Sequence, residues 1–138
     1  MPVVVVVCNA SICTIINPIN FIIMATKNFN VNYYRTSVGF KKSATWGGVQ
    51  IKAQGYISCY GNGGYRFIMY FLHKDSQVPS PVFHPNTKVG AIFLPFEDMP
   101  IYLDIVRNEK PIYAYLNSSK PEWNGISTSN EPVGEEES

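Results

Sequence analysis

Cysteine is scarce in this chain and poorly placed for paired chemistry. Cys8, Cys13 and Cys59 are the only three in 138 residues, an odd number with no C-x-x-C pair, which leaves no disulfide framework and no zinc or redox motif. A chain of this length can bury a core without covalent staples, so the reading places it in a reducing cytoplasm. An excess of charge is missing too: 11 Lys and Arg against 10 Asp and Glu give a net +1, which removes any argument from overall charge. Neither the P-loop pattern nor the Gly-x-Gly-x-x-Gly of dinucleotide sites is present. His73 and His84 are the only imidazoles, and with Asp75, Glu97 and Asp98 they do not supply the three or four convergent ligands that a metal requires. No metal and no cofactor is expected. Cys59 reads as a small buried thiol rather than a nucleophile. Glu97, Asp98 and Asp104 read as solvated carboxylates rather than general acids or bases. No catalytic residue is nominated, and an enzyme of unrecognised type stays only as a third class of function.

Charge is wholly absent from the front of the chain, where the first charged side chain is Lys27. A secretory signal needs a basic start and a small-residue cleavage site, and Met1-Pro2-Val3 offers no such start. A membrane span needs about 20 mainly apolar residues, and Asn9, Ser11, Thr14, Asn17, Pro18 and Asn20 interrupt this one, so membrane association is not expected. Two readings of residues 1–24 remain: upstream sequence preceding a start at Met24, or an extra strand from Val3 to Val7, whose β-branched run suits one. Residues 25–130 then form one β domain. Residues 131–138, with four glutamates and no basic residue, read as a disordered acidic tail. Without them the chain carries 11 positive and 6 negative charges, a net of +5.

The chain does contain short β-branched and aromatic runs between Gly, Pro and Asn punctuation, and no window of 11 or more residues with sustained helical periodicity. The expected fold is all-β: a single antiparallel meander of about six strands, closed as a small barrel or folded as a two-layer sandwich. Its clearest unit is Val49 to Lys74, where Asn62-Gly63 predicts a two-residue type I′ hairpin turn. That turn pairs Cys59 with Arg66, Ile57 with Ile68, Gly55 with Tyr70 and Ala53 with Leu72. Gly55, in mid-strand, predicts a bend or bulge. A second hairpin is expected from Ile101 to Leu116, setting Ile101, Leu103 and Ile105 against Leu116, Ala114 and Ile112, with Pro111 at a strand start or edge. Asn30 to Val38 and Lys88 to Phe96 are further strands, and Ser76 to Lys88, with its three prolines, is a long exposed loop.

The expected hairpin register sorts aliphatic side chains to one face and rings to the other. The ring face gives the candidate binding set: Tyr56, Tyr60, Tyr65, Phe67 and Phe71, with Lys52 and His73 beside them, Lys41 and Lys42 nearby in sequence, and Trp46 at a glycine-flanked loop edge. Trp123 is a second loop-edge tryptophan. Two functions fit such a face. The leading one is a non-enzymatic module for protein interaction or oligomeric assembly, since aromatic clusters usually pack. The alternative is a single-stranded nucleic-acid binder, in which rings stack bases and Lys or Arg meet phosphates. The RNA-recognition strand signature is not matched by Gly64-Tyr65-Arg66-Phe67, where the basic residue sits one place inside.

Overall fold

A computed structural model describes residues 25–129 together with 5–8 and 13–16; those two short stretches and positions 40 and 41 are described through their backbone alone. The expectations for a start at Met24 and for the tail 131–138 lie outside the described residues. At the front, β1 (Val5–Cys8) and β2 (Cys13–Ile16) make an antiparallel pair, so the valine run does enter a strand. A three-stranded sheet has the order β10-β9-β3, built from β3 (Thr26–Asn30), β9 (Ile112–Asn117) and β10 (Gly125–Thr128). A five-stranded sheet has the order β4-β5-β6-β8-β7, with β4 (Tyr33–Trp46), β5 (Val49–Tyr60), β6 (Arg66–Leu72), β7 (Val82–His84) and β8 (Val89–Pro95). The fold is mostly β, as expected, but it is neither one antiparallel meander nor a closed barrel. β6 and β8 run parallel, because the chain leaves β6, forms β7 at the far edge and returns as β8 between them.

The second correction is a helix. Residues 99–108 form α1 (Met99–Asn108), where the first arm of the expected second hairpin was placed. In this window Ile101, Leu103 and Ile105 alternate like a strand, while Met99, Leu103 and Val106 recur at helical spacing, and the window is too short for periodicity alone to decide. Pro100 sits in the first turn, where a missing N–H costs nothing. Met99 and Val106 are buried and Ile101 lies 62% exposed, so the helical stripe faces the core. Only the second arm is a strand: β9 begins at Ile112, directly after Pro111.

The main core lies between the two sheets and α1, with Phe29 from β3, Ile57 and Cys59 from β5, Phe67, Met69 and Phe71 from β6, and Ala114 and Leu116 from β9. Fully burying a side chain such as Phe67 contributes about 1.5–3 kcal/mol. Gly90 is required here because a Cβ would run into the Leu116 side chain. The expected loop from Ser76 to Lys88 is only partly a loop: it contains β7, whose Phe83 reaches the core, and Pro79 is buried.

The hairpin at Asn62-Gly63 exists, with a different turn. Positive φ falls on Gly63 (77°) and Gly64 (83°), not on Asn62, and Gly61 N–H donates to Tyr65 O at 3.0 Å. The loop is therefore one residue longer than a type I′ turn, and the register moves by one: Tyr60 opposes Arg66, Cys59 opposes Phe67, Ile57 opposes Met69 and Gly55 opposes Phe71. The register slips again between Ala53 and Gly55, which restores the expected Ala53–Leu72 pair. Gln54 is the extra residue, so the bulge expected at Gly55 is real. A Cβ on Gly55 would lie 2.8 Å from Met99 Sδ and 3.0 Å from Ser37 O, and the missing side chain is what lets α1 settle on the bend.

Candidate functional site

The one-residue shift overturns the expected sorting of the β6 side chains, while Tyr56 and Tyr60 of β5 keep the outer face. Opposed residues of a ladder share a face, so Phe67, Met69 and Phe71 join Ile57 and Cys59 inside. Phe67 and Phe71 are fully buried and leave the exposed face. Arg66, Ile68 and Tyr70 move to the other side, beside Tyr60, Ser58 and Tyr56. Across β4 the same side receives Tyr33 opposite Tyr60, Arg35 opposite Ser58 and Ser37 opposite Tyr56.

This outer face has two parts. Around the bulge it is packed: Ile51, Ala53, Leu72, Ala91 and Phe93 form a second apolar cluster, joined by Trp46 and Tyr70. The Tyr70 and Phe93 rings stack with centroids 5.6 Å apart, and Trp46 meets both edge-on. Trp46 is thus a half-buried cover on this cluster. It ends β4 at a two-residue turn in which Gly47 and Gly48 both take positive φ. At the other end, where β4 starts and β5 stops, the face is open. Tyr33 and Tyr60 stack 4.7 Å apart and 12° from parallel, and Tyr33 is 62% exposed. The Arg66 guanidinium carbon lies 5.3 Å from the Tyr60 ring centroid, and its Nε donates to Ser58 Oγ at 2.7 Å. That bond satisfies a buried hydroxyl, holds the guanidinium against the ring, and leaves its other donors free.

The charge on this sheet is of one sign. The sequences of β4 to β8 contain Arg35, Lys41, Lys42, Lys52 and Arg66 and no Asp or Glu. Asp75, Glu97, Asp98, Asp104, Glu109 and Glu122 lie in loops, helical turns or α1. Among the described residues the one ion pair joins His73 Nδ1 to Asp75 Oδ2 at 3.4 Å, so none of the described carboxylates pairs with Arg35 or Arg66.

The remaining candidates scatter. Tyr65 stacks on Phe29 at 5.9 Å, with Lys27 Nζ 4.7 Å and Lys88 Nζ 5.3 Å from its ring centroid, away from Tyr60. Lys52 is exposed past the bulge; its N–H donates to Ser76 Oγ and its carbonyl accepts from His73 N–H, each at 2.8 Å. His73 lines a cavity of about 290 Å³ with Lys74 and Glu97, and His84 lines another, of about 320 Å³, with Trp46; the two imidazoles are not brought together. Burial pushes the Cys59 thiol up to about 12, so it stays protonated and unreactive at neutral pH. Trp123 is 57% exposed under Lys120.

Of the sequence candidates Tyr60 lies at this open end and Tyr56 next to it against Tyr70; Tyr33, Arg35 and Arg66 were not among them. The signal for the first two was Gly47-Gly48, a hairpin turn that runs β4 back along β5 and brings its start beside Tyr60. No protein-family model, no curated protein and no solved structure matches the chain.

Proposed function

We propose that this domain is a non-enzymatic binding module for single-stranded nucleic acid, using the open end of the five-stranded sheet. One observation carries the reading: an exposed, near-parallel Tyr33–Tyr60 stack flanked by Arg35 and Arg66, on a sheet without a single carboxylate. A base stacks on the outer face of Tyr33, as every base offers a π-face. The Arg66 guanidinium, held by the Tyr60 ring and the Ser58 hydroxyl, and the exposed Arg35 meet the phosphates on either side. Lys42, opposite Ala53 on the same side of the sheet, extends the positive track. A reducing cytoplasmic setting goes with this reading.

The assembly reading draws on a different feature. β4 is a 14-residue edge strand with Val38 64% exposed, and long open edges recruit further strands. Pairing β4 with its own copy would bring Arg35, Lys41 and Lys42 of both strands together with no carboxylate in either strand, and such an accumulation of one charge disfavours the pair. Self-association through this edge is therefore the weaker proposal.

The test is fluorescence anisotropy with a labelled single-stranded oligonucleotide of about eight nucleotides, alongside light scattering. Binding should weaken with salt with a log–log slope near about −2, as for about three phosphate contacts, and the protein should stay monomeric. Tyr33→Ala with Arg66→Glu should abolish binding. Absence of binding at low salt, or a dimer that Val38→Lys dissociates, would overturn the nucleic-acid reading.

A further inference from the structure

The open end of the sheet does not stop at β4. The concavity over Tyr33, Tyr34, Arg35 and Tyr60, of about 500 Å³, shares Tyr33 and Tyr34 with a cleft of about 660 Å³ between the β3–β4 turn and the end of α1. Successive strand residues point to opposite faces. Tyr33 therefore stays on the stacking face, while Tyr34, opposite Cys59, turns to the cleft side. With β4 at the sheet edge, the two hollows form one trough around it.

The cleft walls differ from the platform in chemistry. Glu109 sits half-buried just after α1, beside the helix C-terminus, whose last carbonyls lack helical N–H partners and carry partial negative charge. Both accept hydrogen bonds, and both oppose a phosphate placed inside. Arg107 and Lys110 also line the cleft but are exposed, more so than Glu109, and Asp104 nearby accepts from Asn108 Nδ2 at 2.5 Å. Phosphates suit the rim and a donor-bearing base edge suits the interior.

We propose that this cleft is a base-reading subsite: it takes the nucleotide next to the one stacked on Tyr33 and selects bases with an exocyclic amino group, Glu109 accepting from that group. The inference rests on the nucleic-acid reading of the platform. A carboxylate accepting from cytosine N4 is a direct readout contact, whereas thymine offers O4, another acceptor, to the same wall.

The test compares oligodeoxycytidine with oligodeoxythymidine of equal length on the full chain. Cytidine should bind about tenfold tighter, the size of one hydrogen bond to a charged group. Glu109→Gln, whose amide both donates and accepts, should remove most of that preference while thymidine binding holds. Equal wild-type affinities, or a preference that Glu109→Gln leaves intact, would overturn the subsite and leave the platform standing. Failure of both oligonucleotides to bind would overturn the platform, and the subsite with it.

Discussion

The two faces of the β5–β6 ribbon carry rings of similar size and treat them oppositely. On the inner face Phe67 and Phe71 vanish among β3, β9 and α1. On the outer face Tyr60 and Tyr33 lie over each other at a sheet margin that no described residue covers, with guanidinium groups as neighbours. The difference comes from one residue of loop. That single added residue moves Phe67 from one side to the other and brings Arg66 out in exchange. A ring is therefore informative about function only once its partner across the ladder is known.

Substitution should separate the faces most sharply at Phe67. Phe67→Ala removes a fully buried ring and should destabilise the domain by about 3–5 kcal/mol in urea unfolding. Tyr33→Ala, on the outer face, should cost within about 0.5 kcal/mol of stability while removing about 1–3 kcal/mol of oligonucleotide affinity. Comparable stability losses for the two would break the contrast.

A smaller effect is expected where the inner face meets α1. Gly55→Ala forces a Cβ against Met99 Sδ and Ser37 O, an overpacking of about 1–3 kcal/mol, measurable as a lower denaturation midpoint. In a Met99→Ala background Gly55→Ala should cost less than in the wild type if the sulfur contact dominates, and as much if the Ser37 carbonyl does.

A last effect is confined to alkaline pH. The Cys59 thiol rises from its ordinary 9.0 to about 12 because burial disfavours the thiolate. An unfolded chain ionises it above 9.0, so its contribution to stability is intact below that pH and is lost as pH climbs toward 12. Unfolding midpoints between those limits should fall more steeply in the wild type than in Cys59→Ala; equal slopes would place the thiol in contact with water.

Several elements were legible from residues alone. Glycine punctuation located the β5–β6 hairpin, mid-strand Gly55 located the bulge, and Pro111 marked the start of β9. Register was not legible, because Asn-Gly followed by a second glycine supports two- and three-residue loops equally, and only tertiary packing of Phe67 and Met69 decides between them. The helix hid behind Ile101, Leu103 and Ile105, whose alternation mimics a strand until the burial of Met99 and Val106 selects the other period. Of the proposed site, Tyr60 is legible as a candidate from the sequence. Tyr33, Arg35 and Arg66 were not, since their meeting depends on β4 returning along β5 and on the shifted ladder.

In the function proposed, the outer sheet margin, and not the packed cluster around Tyr70 and Phe93, receives the ligand. Backbone NMR of the full chain titrated with a single-stranded oligonucleotide tests it most directly. The account predicts the largest shifts at Tyr33, Arg35, Tyr60 and Arg66, with Ile51, Leu72 and Phe93 unmoved. Shifts centred on Trp46, Tyr70 and Phe93, or none at saturating ligand, would contradict it.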